Sequence, residues 1–259
     1  MIDAQQLTKD FSDKKRGRVR AVDHVSFRCD PGVIYGLLGA NGAGKTTTLR
    51  MLATILEPTE GTAKVAGYDV VTQAEKVRAN VGFLSTATAL YGRLSALEMV
   101  EYFGRLHGLD ETTLHQRIDQ IFARLEMNEF RDRRCDKLST GMKQKVSIAR
   151  TLVHDPPVMI FDEPTVGLDV MTARTIVAFI RECRQHGKTV IFSSHVMSEV
   201  EKLCDRIGII HNGRILTEGA LADLRQRYEE QDLEEIFVRV VGDEPARPAH
   251  AEPLAKGAS

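Results

Sequence analysis

From Gly39 to Thr47 the chain reads Gly-Ala-Asn-Gly-Ala-Gly-Lys-Thr-Thr. An apolar run, Val33-Ile34-Tyr35-Gly36-Leu37-Leu38, precedes it, and a helical pattern through Leu49, Leu52 and Ile55 follows. Strand, glycine loop and helix N-terminus thus come in the order that a phosphate-binding loop requires. Glycines let the backbone wrap round a polyphosphate and turn successive N–H groups inward. The helix that begins near Gly44 adds its partial positive end. On this reading Gly39, Asn41, Gly42, Ala43, Gly44, Lys45, Thr46 and Thr47 form a nucleotide cradle. Lys45 reaches the β- and γ-phosphates as a point charge, and the Thr46 hydroxyl ligates Mg²⁺. A simple glycine-rich turn would account for the glycines but gives no reason for Lys-Thr at its end.

With 259 residues, one large domain or two modest ones are possible. A hydrophobic content of 42% is enough for a full core, and a net charge of −1 argues against a nucleic-acid partner. No apolar run reaches the roughly 18–20 residues of a membrane helix. Met1-Ile2-Asp3-Ala4 carries no signal-peptide pattern, so the expected location is the cytosol or the cytosolic face of a membrane. Cys29, Cys135, Cys183 and Cys204 are widely spaced, which predicts free thiols in a reducing compartment.

Short strands are expected over Ile2 to Leu7 and Ala21 to Phe27, joined through a basic hairpin loop from Ser12 to Arg18. After the glycine-loop helix come a turn at Glu57 to Gly61, a strand from Thr62 to Val65, and a further turn beginning at Gly67-Tyr68-Asp69. A short helix from Thr72 to Asn80 and a strand from Val81 to Leu84 follow. Strand signals then stop. Leu97, Val100, Phe103 and Leu106 recur at helical spacing, as do Leu114, Ile118, Ile121, Phe122 and Leu125, with Asp110 as an N-cap. An all-helical insert over about residues 90–155 therefore interrupts an α/β frame, and it is expected to pack as a lobe. The frame resumes with the strand Val158 to Phe161, a helix through Ile176, Phe179 and Ile180, and the strand Thr189 to Phe192. A helix from Met197 to Leu203 and strands Arg206 to Ile210 and Arg214 to Thr217 follow, the last two joined by Asn212-Gly213. Ala220 to Tyr228 reads as a helix, Leu233 to Val241 as an apolar segment of open type, and 242–259 as a disordered tail.

Four further stations carry chemistry. Asp162-Glu163 ends an apolar strand, and two adjacent acids there are costly without a cation or partner. Strand alternation sends the two side chains apart, so Asp162 can hold Mg²⁺ while Glu163 faces an attacking water as general base. His195 lies just past the next apolar strand, 32 residues after Glu163. Parallel strands end on one face, where ligands bind, so His195 can touch the γ-phosphate. Ser139, in Leu138-Ser139-Thr140-Gly141-Met142, is an N-cap for the helix through Ile148 and Leu152, and such a glycine-bearing tip is also an anion site. Asp169, in Gly167-Leu168-Asp169, either caps the next helix or bridges two subunits. Phe11, before the basic loop, is either a core aromatic at a strand end or a platform for an adenine ring.

These stations, in this order, resemble the ATP-binding subunit of ABC transporters over nearly all of residues 1–240. Leu138-Ser139-Thr140-Gly141-Met142 is similar to the family signature Leu-Ser-Gly-Gly-Gln. The resemblance implies one nucleotide-binding domain over 1–241: a P-loop NTPase core with a mixed sheet, an antiparallel N-terminal β subdomain and an inserted helical subdomain. It implies ATP and Mg²⁺ as cofactors, Phe11 as the adenine-stacking residue, Asp169 as the D-loop acid and His195 as the switch histidine. It further implies a head-to-tail pair of domains, homodimeric or not, in which Ser139 and Gly141 of one complete the phosphate site of the other. Three residues depart from the family pattern: Thr86 stands where a glutamine is usual, and Thr140 and Met142 replace a glycine and a glutamine. Thr86, Ser-Thr-Gly-Met-Lys-Gln and Leu233-Glu234-Glu235-Ile236-Phe237 resemble the bacterial NatA-like export branch, whose members pair with a multi-span permease and some of which export sodium. The rival readings are a soluble ABC ATPase and a P-loop kinase. Repair-type ATPases carry a long coiled coil and ribosome-acting ones two cassettes, neither of which this chain has; a kinase leaves the signature and His195 without purpose.

Overall fold

The computed structural model describes residues 1–13, 17–85 and 89–243. Thr86 and the tail from 244 onward, both singled out above, lie outside the described residues. Strands β1 (Ile2–Asp13) and β2 (Gly17–Cys29) pair antiparallel, with Ile2 opposite Cys29 and Phe11 opposite Val19. Central strand β3 (Ile34–Leu38) belongs to a second sheet. β4 (Glu60–Val65) and β5 (Tyr68–Asp69) complete the first sheet in the order β2-β1-β4-β5.

Two expectations are corrected here. The hairpin is much longer than the short strands read from 2–7 and 21–27. Apolar alternation ends at Leu7, and beyond it charge takes over: Asp10 accepts from Arg18 and from Arg20 across the ladder. Opposite-charge cross-strand pairs stabilise a sheet without leaving an apolar trace. Tyr68-Asp69, read as the start of a turn, pairs with Val65 and Lys64 as a two-residue strand. The Asp69 carboxylate then accepts from the N–H groups of Val71 and Thr72, so the turn follows the strand.

The second sheet has the order β10-β9-β3-β8-β7-β6, with β6 (Val81–Ser85), β7 (Val158–Asp162), β8 (Thr189–Ser194), β9 (Arg206–His211) and β10 (Arg214–Gly219). It is mixed: β10 runs antiparallel to β9, and the other neighbours are parallel. Every residue of β3, β7 and β8 is buried, as continuous apolar runs in a parallel sheet require. The parallel register sets Leu38 beside Ser194 and Asp162 beside Ser193, so the glycine loop, the acid pair and His195 leave the sheet at one edge.

Helix α1 (Lys45–Leu52) follows the loop, and α2 (Ala74–Ala79) precedes β6. The segment expected to be helical contains α3 (Ala96–Leu106), α4 (Glu111–Arg124) and α5 (Thr140–Leu152). Ser95 and Glu98 form a capping box on α3, and Asp110 caps α4 by accepting from the Thr113 N–H at 3.0 Å. α6 (Val170–Gln185), α7 (Met197–Leu203), α8 (Leu221–Tyr228) and α9 (Leu233–Gly242) complete the chain. α9 resolves the open segment 233–241, with Asp232 as its cap.

Both faces of the second sheet are covered. On one, Ile34, Leu38, Phe161 and Phe192 share a core with Leu114, Phe122 and Ile148 of the helical segment. On the other, Tyr35, Leu37, Ile160 and Ile191 pack with Leu49 of α1 and with Leu7, Val25 and Phe27 of the hairpin. Phe27 stacks on Tyr35 with ring centroids 4.8 Å apart. All four cysteines are free, and burial pushes the thiols of Cys29 and Cys183 up to about 12. No helix among the described residues is long and apolar enough to cross a membrane.

Candidate nucleotide site

Gly44 caps α1 without a side chain, at φ +106°. A Cβ there would lie 2.7 Å from the Ala21 carbonyl oxygen, so both conformation and space demand glycine. At Gly39 a Cβ would come within 2.4 Å of the Ile210 carbonyl oxygen. The loop is braced from behind by the β9–β10 hairpin: the Gly213 N–H donates to the Ala43 carbonyl at 2.9 Å, and the Asp23 N–H donates to the Gly213 carbonyl at 2.9 Å. A charge ladder ties the same brace to the β1–β2 hairpin. Arg20 donates to Asp10 at 2.9 Å and to Asp23 at 3.1 Å, and Arg214 donates to Asp23 at 2.5 Å. Burial pushes the Asp23 carboxyl up, but the hydrogen bonds from Arg214, His24 and Arg20 outweigh it and hold the group well below the carboxylate range.

Lys45 is 4% exposed. Its Nζ donates to the carbonyls of Gly39 at 2.7 Å and Ala40 at 3.1 Å, and lies 3.0 Å from Glu163 Oε1. Thr46 Oγ1 donates to Asp162 Oδ1 at 3.0 Å, and Ser193 Oγ donates to the same oxygen at 2.9 Å. The Glu163 N–H in turn donates to Ser193 Oγ at 3.1 Å and to the Ser193 carbonyl at 3.2 Å. His195 Nδ1 is 3.3 Å from Glu163 Oε2.

Asp162 and Glu163 do diverge, but strand alternation alone is not the cause. β7 ends at Asp162, and Glu163 takes φ +48°, a left-handed backbone that aims it at Lys45 and His195. Such backbones in residues other than glycine cluster at functional sites.

Lys45, Thr46, Asp162, Glu163 and His195 are thus brought together. The other candidates stand apart from them. Ser139 is exposed and caps α5, accepting from the Met142 N–H at 3.3 Å. Asp169 caps α6, accepting from the N–H groups of Met171 and Thr172 at 3.0 Å each and from Thr172 Oγ1 at 2.7 Å. The Thr172 hydroxyl, with these N–H groups, holds its carboxyl below the usual range. Thr172 also abuts Gly141: a Cβ on that glycine would lie 2.9 Å from Thr172 Oγ1. Phe11 is 39% exposed, with the Lys9 ammonium 5.5 Å from its ring centroid. The cavity at the loop, of about 260 Å³, is lined by Ala21, residues 41–47 and Glu163. Among the described residues, neither Phe11, Asp169 nor any part of 138–142 lines it.

Ser193 escaped the sequence reading. Its only signal was a hydroxyl closing an apolar strand, and its partners depend on β8 lying beside β7.

The donor set suits Mg²⁺. Asp162 and Thr46 present a carboxylate and a hydroxyl, hard oxygen donors held 3.0 Å apart. Among the described residues no cluster of three or more His, Cys, Asp or Glu could hold a metal. Mg²⁺ needs no such cage, because it is held through one or two protein groups plus phosphate and water.

Fold and site together define a P-loop nucleotide hydrolase. The family profile described as ABC transporter matches residues 22–166. The ABC transporter ATP-binding protein NatA of Bacillus subtilis strain 168 is 43% identical over 239 residues, which is 92% of this chain and 97% of that one. The Nod factor export ATP-binding protein I of Paraburkholderia xenovorans strain LB400 is 40% identical over 226 residues, 86% of this chain and 74% of that one. A solved dimeric post-hydrolysis state of an ATP-binding cassette, bound to ADP and Pi, superposes with a TM-score of 0.77 at 25% identity, covering 85% of this chain and 98% of that one. The chain belongs to the ABC transporter family, as an ATP-binding subunit that hydrolyses ATP.

Proposed function

We propose that the protein powers export through a separate multi-span permease, working at the cytoplasmic face of the membrane. A triphosphate is clasped between the Lys45 loop of one copy and the Ser139 helix tip of another. The observation that carries this is the one-sided cavity. One wall comes from the glycine loop and Glu163, while Ser139 sits exposed on a helix tip elsewhere. A second copy, turned head to tail, supplies the missing wall. Phe11 then stacks the adenine, Asn41 and the loop N–H groups hold the phosphates, and Ser139, Gly141 and Asp169 act across the seam.

Asp162 and Thr46 would hold Mg²⁺, which neutralises phosphate charge when bound. Phosphate oxygens compete with Glu163 for the Lys45 ammonium. Once released, Glu163 is free to take the proton of the attacking water, and His195 orients it. A few charge-assisted hydrogen bonds per site, at about 1.5–3 kcal/mol each over two sites, exceed the roughly 5.5 kcal/mol that reverses a 99:1 equilibrium. That is enough to drive a permease between two states. A cleft of about 440 Å³, lined by Arg50, Phe83, Phe103, His107 and Arg150, with exposed Ile55 and Leu106 nearby, supports docking of that partner. Sodium enters the proposal as cargo on the branch resemblance alone.

The test mixes Ser139→Ala with Lys45→Ala. Each variant alone is inactive, and an equal mixture regains up to about a quarter of the wild-type rate, since half of the random dimers hold one intact site of two. No recovery on mixing, or a fully active Ser139→Ala homodimer, refutes the clasp.

A further inference from the structure

The spacing between Glu163 and His195 depends on two loop arms that leave neighbouring strands. The first arm, 163–165, carries a left-handed residue at its start. Its bonds to its surroundings include three anchors. The Glu163 N–H is bonded to Ser193, the Pro164 carbonyl accepts from Gln144 Nε2 at 3.4 Å, and Thr165 Oγ1 donates to Glu199 Oε2 at 2.9 Å. The second arm, 194–196, carries His195. Ser194 Oγ donates to Glu199 Oε2 at 3.2 Å and accepts from the Val196 N–H at 2.9 Å, so it brackets the histidine on both sides. One carboxylate oxygen, on the first turn of α7, therefore binds both arms.

We infer that Glu199 is a positioning residue for hydrolysis, acting through Thr165 on Glu163 and through Ser194 on His195. The inference rests on the proposed roles of Glu163 and His195. Thr165 and Ser194 are both buried, at 8% and 2% exposure, so these hydroxyls have little water to replace a lost acceptor. An acid in a first helical turn also complements the helix dipole. That simpler role would appear in stability and leave the chemical step untouched.

A shift of the base by about 1 Å costs on the order of 10²-fold in rate. Glu199→Ala should therefore lower kcat by about 10- to 100-fold with the KM for ATP and ATP-dependent dimerisation near wild type. Glu199→Gln keeps an acceptor oxygen and restores most of the rate. In a Glu163→Gln background, Glu199→Ala costs clearly less than in the wild type, because one of the two groups it positions is already lost and only the His195 arm remains. Should Glu199→Ala unfold, the near-isosteric Thr165→Val removes the same contact from the other side and lowers kcat in its place. The inference is overturned by a wild-type kcat in the folded variant. Equal losses in both backgrounds, or a Gln variant as impaired as the Ala variant, overturn it too. A Glu163→Gln enzyme with the wild-type rate refutes the base assignment instead, which separates the two failures.

Discussion

Ser193→Ala removes one atom from a fully buried position, and its effect can be worked out from the bonds that atom makes. Ser193 Oγ donates to Asp162 Oδ1 at 2.9 Å. A hydrogen bond to an ionised group contributes about 1.5–3 kcal/mol. The Glu163 N–H loses the hydroxyl as acceptor but keeps the Ser193 carbonyl at 3.2 Å, so no donor is orphaned. Thr46 still holds Asp162. The expected cost is about 2 kcal/mol, which for a chain of this size lowers Tm by roughly 4–8 °C. The second effect concerns the Mg²⁺ that Asp162 would hold on the proposed reading. A carboxylate that has lost its supporting donor can turn, and loss of such a support typically weakens metal affinity or activity by about 10–100-fold. ATPase activity titrated with Mg²⁺ at saturating ATP should need that much more Mg²⁺ for half-maximal rate. A lowered Tm with an unshifted Mg²⁺ requirement would mean that the hydroxyl serves only the strand end. An unchanged Tm would refute the bond's energetic role altogether.

Glu163→Gln should slow hydrolysis by about 10²–10⁴-fold while ATP still drives dimerisation in light scattering; turnover at the wild-type rate would exclude Glu163 as base. Gly44→Ala forces a Cβ toward the Ala21 carbonyl at φ +106° and should cost about 1–3 kcal/mol in thermal unfolding together with nucleotide affinity in a titration; unimpaired binding counts against the tight loop. His154, stacked on His107 with centroids 3.6 Å apart, has its imidazole pushed down to about 4, from an ordinary 6.5, by burial and by His107. The unfolded chain then binds a proton that the folded one refuses between these values, so stability falls as pH drops from 6.5 to 4. The loss amounts to at most about 3 kcal/mol. His154→Gln should flatten that part of the Tm profile, and an unaltered slope would show that other groups set it.

What the sequence made legible was whatever the backbone forces on single residues. Glycines with lysine and threonine between an apolar strand and a helix specify one loop, and Asp110 or Ser139 before a helical pattern specify a cap. The hairpin beyond Leu7 was illegible because Asp10, Arg18 and Arg20 stabilise it through charge, which has no period. Ser193 could not be read because its two partners arise from strand order. The same holds for Thr172, which bonds Asp169 and abuts Gly141 only once the N-terminal ends of α5 and α6 meet.

The ladder Asp10–Arg20–Asp23–Arg214 has a mechanical consequence. It runs from the strand bearing Phe11 to the hairpin that buttresses Ala43, so the β1–β2 hairpin and the glycine loop are tied into one unit, and the proposed adenine platform would move with the phosphate cradle. Loss of either arginine of the ladder should loosen the grip on the whole nucleotide, with every glycine of the loop still in place.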